Sequence, residues 1–214
     1  MTSPDRRALR TRILKIHRLL LEAYGDPPRP RLDPVSELVS TILSQSTNDS
    51  LRDRAYDRLR KRYPTWEEVR DAPVREIIRA IQVCGLAQQK GPRIKTALQH
   101  ITRERGELDL SFLSAWSVEE AKEWLMSIEG VGPKTASIVL LFSLNRPAFP
   151  VDTHVHRVTG RLGLIPPKTS ADKAHRILEA LVPPDLYLPF HLNLITHGRQ
   201  VCHARGPQCE VCVL

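Results

Sequence analysis

Three groups of residues in this 214-residue chain combine side-chain types and spacings that can do chemistry. Lys134 follows Gly130-Val131-Gly132-Pro133. Two glycines permit a tight turn, and a proline suits the first position of a helix because its missing N–H would be unpaired there. Lys134 then falls in the first turn, at the positive end of the helix dipole. That position disfavours an ammonium and favours a free amine, a nucleophile able to form a Schiff base with an electrophilic carbon. The plainer reading is a surface lysine contacting a phosphate. Asp152, eighteen positions after the lysine, precedes Thr153-His154. It reads as an N-cap, and a rigidly held carboxylate can also stabilise a developing cation or assist proton transfer. Finally, Cys202, Cys209 and Cys212 crowd the last thirteen residues while Cys84 stands alone. Thiols distributed this way indicate a metal site in a reducing compartment rather than a disulfide framework. Cys84 reads as a small buried hydrophobe.

The elements that must position these groups are all helical. Ser117-Val118-Glu119-Glu120 has the form of a capping box and predicts a helix from near Val118 to the glycines. Ile128, Val131 and Ala136 are the apolar residues that would pack this helix against the one begun by Pro133, leaving the amides of the turn facing outward as anion donors. Leu9, Ile13, Ile16 and Leu20 mark an amphipathic N-terminal helix, ended by Pro27, Pro28, Pro30 and Pro34. Asp33-Pro34 opens a helix through Leu38, Ile42 and Leu43, and Gln45-Ser46-Thr47-Asn48 reads as a polar loop or helix end. Arg52, Arg54, Arg58 and Arg60 form the solvated face of a third helix, Thr65 caps a short one, and Pro73 starts another carrying Ile77, Ile78 and Ile81. Helices are further predicted over 92–105, starting at Pro92 and stopped by Gly106, over 153–162, over 171–181, and from the Pro183-Pro184 break to near Gly198. No run of alternating β-branched residues occurs, so the fold class is all-α.

Lysine and arginine total 32 against 24 acidic residues, a net +8 that suits a polyanionic partner. The basic N-terminus is interrupted by charge and lacks a small-residue cleavage site, so it does not read as a secretory signal, and no stretch is apolar enough to span a membrane. The expected location is the cytoplasm.

Ile128-x-Gly130-Val131-Gly132-x-Lys134-Thr135-Ala136, followed by Val151-Asp152-Thr153-His154-Val155-x-Arg157-Val158, resembles the helix-hairpin-helix and Gly/Pro-Asp signature of the endonuclease III family of DNA glycosylases. The looser similarity runs from about Glu37 to Cys212. The resemblance implies two lobes: a six-helix barrel over 36–147, and a helical lobe formed by 1–35 and 148–214 that carries the cysteines. Lys134 and Asp152 would face the cleft between them as nucleophile and electrostatic partner. Further implications are hairpin contacts to phosphate through Gly130, Val131, Gly132 and Thr135, an intercalating Leu86 in a wedge loop 85–90, and a plugging Gln45, although ungapped alignment puts Ser46 at that place. His203 and Arg205 match positions facing the DNA backbone.

Cys202-x6-Cys209-x2-Cys212 is similar to the start of the family's iron-sulfur motif, so the resemblance implies a [4Fe–4S] cluster whose fourth ligand lies outside these residues. A zinc site using His197 or His203 is the chemical alternative. The implied activity is that of a bifunctional DNA glycosylase and AP lyase of base excision repair. It would act as a monomer on duplex DNA containing a damaged base, oxidised pyrimidines foremost, or an abasic site. The other readings are a mismatch-type monofunctional glycosylase, against which the lysine argues, and a non-catalytic helix-hairpin-helix DNA-binding protein.

Overall fold

The computed structural model describes residues 3–29 and 32–214. Pro30, one of the helix-ending prolines of the sequence reading, lies outside them. The described residues form α-helices with short 3₁₀ and π turns and no strand. The chain divides into two compact units, Arg31–Arg146 and Met1–Pro30 with Pro147–Leu214.

The unit Arg31–Arg146 is built around α2 (Pro34–Ser44), in which every residue from Val35 to Leu43 is buried. A helix apolar on one stripe alone would sit at the surface; this one is enclosed on all sides. Among its polar groups, Ser36 Oγ accepts from Trp66 Nε1 at 3.1 Å and Glu37 accepts from Thr41 Oγ1 at 3.3 Å. Burial pushes the Glu37 carboxyl above the ordinary glutamate range. Around α2 lie α3 (Asp49–Arg62), α4 (Trp66–Asp71), α5 (Val74–Ile81), α6 (Ala87–Arg105), α7 (Val118–Met126) and α8 (Pro133–Ile138), the last continued by a π turn over Val139–Ser143. The caps expected from sequence are made. Asp33 Oδ1 accepts from the amides of Val35 and Ser36, and both Thr65 and Ser117 close reciprocal capping boxes.

Two elements differ from the sequence expectation. α6 starts at Ala87, so Pro92 lies inside it and 87–90 form its first turn, leaving only Gly85 and Leu86 in the loop. Near a helix N-terminus a proline forfeits a single bond, and the start is set instead by Leu86, whose left-handed backbone (φ +50°) turns the chain into the helix. The arginines of α3 are also more than a solvated face, because the Arg60 guanidinium lies 4.5 Å from the centroid of the Trp66 ring.

In the second unit α1 (Ser3–Tyr24) turns Ile13, Ile16 and Leu20 inward, where α11 (Tyr187–Gln200) and α10 (Ala171–Leu181) meet it. Phe149 fills the centre, fully buried, with Tyr187 edge-on at 5.2 Å and Phe190 at 6.2 Å. α9 (Thr153–Arg161) packs on α11, close enough that a Cβ on Gly198 would lie 3.0 Å from His154 Cβ.

Candidate active site

Capping geometry positions Lys134. α7 ends at Ser127, Gly130 takes a left-handed φ of +80°, and Gly132 caps α8 with Pro133 in its first turn. Ile128, Val131 and Ala136 are buried and lock the two helices together, as their apolar character requires. Lys134 is thereby half-buried at the second residue of α8, and its side chain makes no hydrogen bond or ion pair with the described residues.

The hairpin residues do not all serve alike. The Val131 amide is spent within the turn, donating to Ile128 O at 3.0 Å, and the Thr135 side chain is buried. Gly130 and Gly132 are exposed. Gln45 joins the hairpin: its Nε2 donates to Gly130 O at 3.4 Å while its Oε1 accepts from Arg93 Nη1 at 3.0 Å. A Cβ on Gly130 would meet Arg93 Cδ at 3.0 Å, and the backbone there is left-handed. Gly130→Ala is therefore expected to cost about 1–2 kcal/mol of stability, read as a lowered urea midpoint with unchanged slope. Leu86, also left-handed, is 48% exposed.

Asp152 is the N-cap of α9, its Oδ1 accepting from the Val155 amide at 2.7 Å. Oδ2 makes no hydrogen bond with the described residues. The segment delivering it is held rigidly. His175 Nδ1 and His191 Nδ1 lie 3.0 Å and 2.9 Å from the carbonyls of Phe149 and Pro150, and since a carbonyl can only accept, both rings donate. The Phe149 amide donates to Glu179 Oε1 at 2.9 Å. Beside the aspartate, His154 Nδ1 accepts from Arg157 Nη2 at 3.0 Å, and burial pushes its imidazole below the ordinary range. Sequence reasoning missed the supports from His175, His191 and Glu179, because each of those bonds joins residues far apart along the chain.

The C-terminal segment is docked on α9 by two arginines. Arg157 donates to Cys202 O and Gly198 O, and Arg161 donates to His203 O and Ala204 O, its Nη1 also lying 3.2 Å from Cys202 Sγ. His197 Nε2 lies 3.5 Å from Cys212 Sγ, and Cys209 and Arg205 are exposed. Three cysteines in one segment match a thiolate-ligated group in kind. They are not gathered: among the described residues no three His, Cys, Asp or Glu side chains stand close enough to hold a metal ion.

Residues 39–184 match the family model of the HhH-GPD superfamily base excision DNA repair protein. A protein of Arabidopsis thaliana named as a DNA glycosylase is 40% identical over 162 residues, 76% of this chain but 55% of its own length, so the chain spans just over half of that relative. Endonuclease III of Thermotoga maritima is 34% identical over 182 residues, covering 85% of this chain and 81% of that enzyme. Among solved structures, a trapped endonuclease III–DNA covalent intermediate superposes with a TM-score of 0.82 at 27% identity, covering 95% of this chain and 92% of the other. The chain therefore belongs to the HhH-GPD superfamily of base excision DNA repair proteins, as an endonuclease III-like member.

Proposed function

We propose that this chain is a bifunctional glycosylase and AP lyase that excises oxidised pyrimidines from duplex DNA and nicks the strand through Lys134. The carrying observation is the half-buried, unpartnered amine at the start of α8, directly behind exposed hairpin glycines that can meet a phosphate. A damaged nucleotide rotates out of the duplex at a cost of a few kcal/mol, least for a weakly paired base. Lys134 Nζ then attacks C1′; its bond to that carbon forms as the bond to the base breaks, and the base leaves with a proton. Loss of the amine proton and opening of the sugar ring give an imine, and removal of a C2′ proton expels the 3′ phosphate. Asp152 Oδ2 is the group assigned to stabilise the sugar cation and steer protons. Gln45 and Leu86 are assigned to the gap left in the helix, and Arg205 to the backbone.

In this reading Cys202, Cys209 and Cys212 are three of the thiolates of a [4Fe–4S] cluster, which when bound would supply a rigid cross-link for the C-terminal segment. Absorbance in the visible region with iron and sulfide analysis tests it, and colourless protein containing zinc overturns it. No described helix is long and apolar enough to cross a membrane. The activity is tested by incubating the protein with duplexes carrying an oxidised pyrimidine, 8-oxoguanine, uracil, an A·G mismatch or an abasic site. Nicking of the oxidised-pyrimidine and abasic duplexes above the others is expected. Base release without nicking, or preference for another lesion, overturns the assignment.

A further inference from the structure

Lys90 is the most deeply buried charged side chain of its unit, 1% exposed, and neither the hairpin chemistry nor the cysteine segment uses it. It stands in the first turn of α6 and its Nζ donates in two directions. One bond goes to Leu43 O at 2.7 Å, at the end of α2, two residues before Gln45. Another goes to Cys84 O at 3.3 Å, the residue before Gly85-Leu86, with Cys84 Sγ at 3.6 Å completing the set. Cys84 is therefore a partner in a polar cluster as well as a buried hydrophobe. An ammonium offers three donors from one point, which suits three acceptors converging from two chain segments better than any neutral side chain would. Burial holds the amine below the ordinary lysine range while the bonds to Cys84 resist that.

What these carbonyls precede is the reason to assign the lysine a role. Each leads into a loop containing a non-glycine residue in the left-handed region, Ser46 at φ +52° and Leu86 at φ +50°. Such residues cost about 1–3 kcal/mol and persist where the surroundings over-determine them. One turn further along α6, Arg93 holds the Gln45 side chain itself. A single helix face thus carries the anchors of both loops.

We infer that Lys90 is a positioning residue that clamps the Gln45 and Leu86 loops into one fixed relation, so that the two side chains enter the duplex together when a base is extruded. The inference rests on the role proposed above for those loops. The test compares wild type with Lys90→Met, which keeps the stem and removes the donors, and with Lys90→Gln, which keeps two of the three N–H donors on a shorter stem and serves if the first variant does not fold. The first readout is hydrogen exchange of the DNA-free protein at amides bonded within the loops, Gln45 and Thr47 on one side, Gln89 and Lys90 on the other, with Val131 as control. Both pairs are expected to exchange roughly tenfold faster together while Val131 is unchanged. In Lys90→Gln the same pattern is expected in weaker form. The second readout is the ratio of excision rate on a base-containing lesion to nicking rate on an abasic duplex, which has no base to unstack. Because the ratio is taken on one preparation, inactive protein cancels. It is expected to fall roughly 10- to 100-fold, the scale of an ångström-level misplacement. Loosening of one loop alone, unchanged exchange, or an unchanged ratio overturns the clamp. If the wild type cuts neither duplex, the proposed function fails, and the exchange data still decide whether the loops are coupled.

Discussion

Replacing Lys134 by alanine is expected to abolish strand nicking, lowering the single-turnover rate on an abasic duplex by on the order of 10³-fold or more, because the amine assigned to form the imine is removed. Lys90, in the same unit, is committed to two carbonyls and shielded from solvent. The stability cost should be small, since Lys134 is half-buried, makes no side-chain hydrogen bond, and alanine is a good helix former. A folded, DNA-binding, inactive variant is therefore the expected product, measured by thermal denaturation beside the kinetic assay. Equal losses of stability and activity would point to a structural lysine.

Asp152→Asn should have the next largest effect. Asparagine caps helices as well as aspartate does, so the bond from the Val155 amide survives and α9 keeps its start. What is lost is the negative charge at Oδ2, and with it charge stabilisation and proton transfer worth roughly 10²–10⁴-fold in rate. The decisive pattern is a rate loss of that order with a melting temperature within a few degrees of wild type. If Asp152 were merely a cap, the substitution would leave both quantities near their starting values.

How much of this was legible in the chain depends on the range of the interaction concerned. Asp33, Thr65, Ser117 and Asp152 act on amides two or three residues away, and each was read correctly as a cap. The hairpin was legible for the same reason, since its glycines, Pro133 and its apolar contacts span nine residues from Ile128 to Ala136. Pro92 misled because a proline in an early turn resembles a helix start, and the backbone of Leu86 that sets the true start has no signature in a leucine. The wedge segment shrank to two residues as a result. Lys90 was hidden altogether: a lysine at the end of the polar loop segment 85–90 reads as solvated, and its carbonyl partner Leu43 lies 47 residues away. The same holds for His175, His191 and Glu179, which pin the approach to Asp152.

The most direct test of the central claim is borohydride reduction of a reaction with abasic duplex DNA, followed by peptide mapping of the covalent adduct. The account predicts one cross-linked species with the sugar remnant on Lys134. An adduct on any other lysine, or no adduct from protein that binds the duplex, would contradict it.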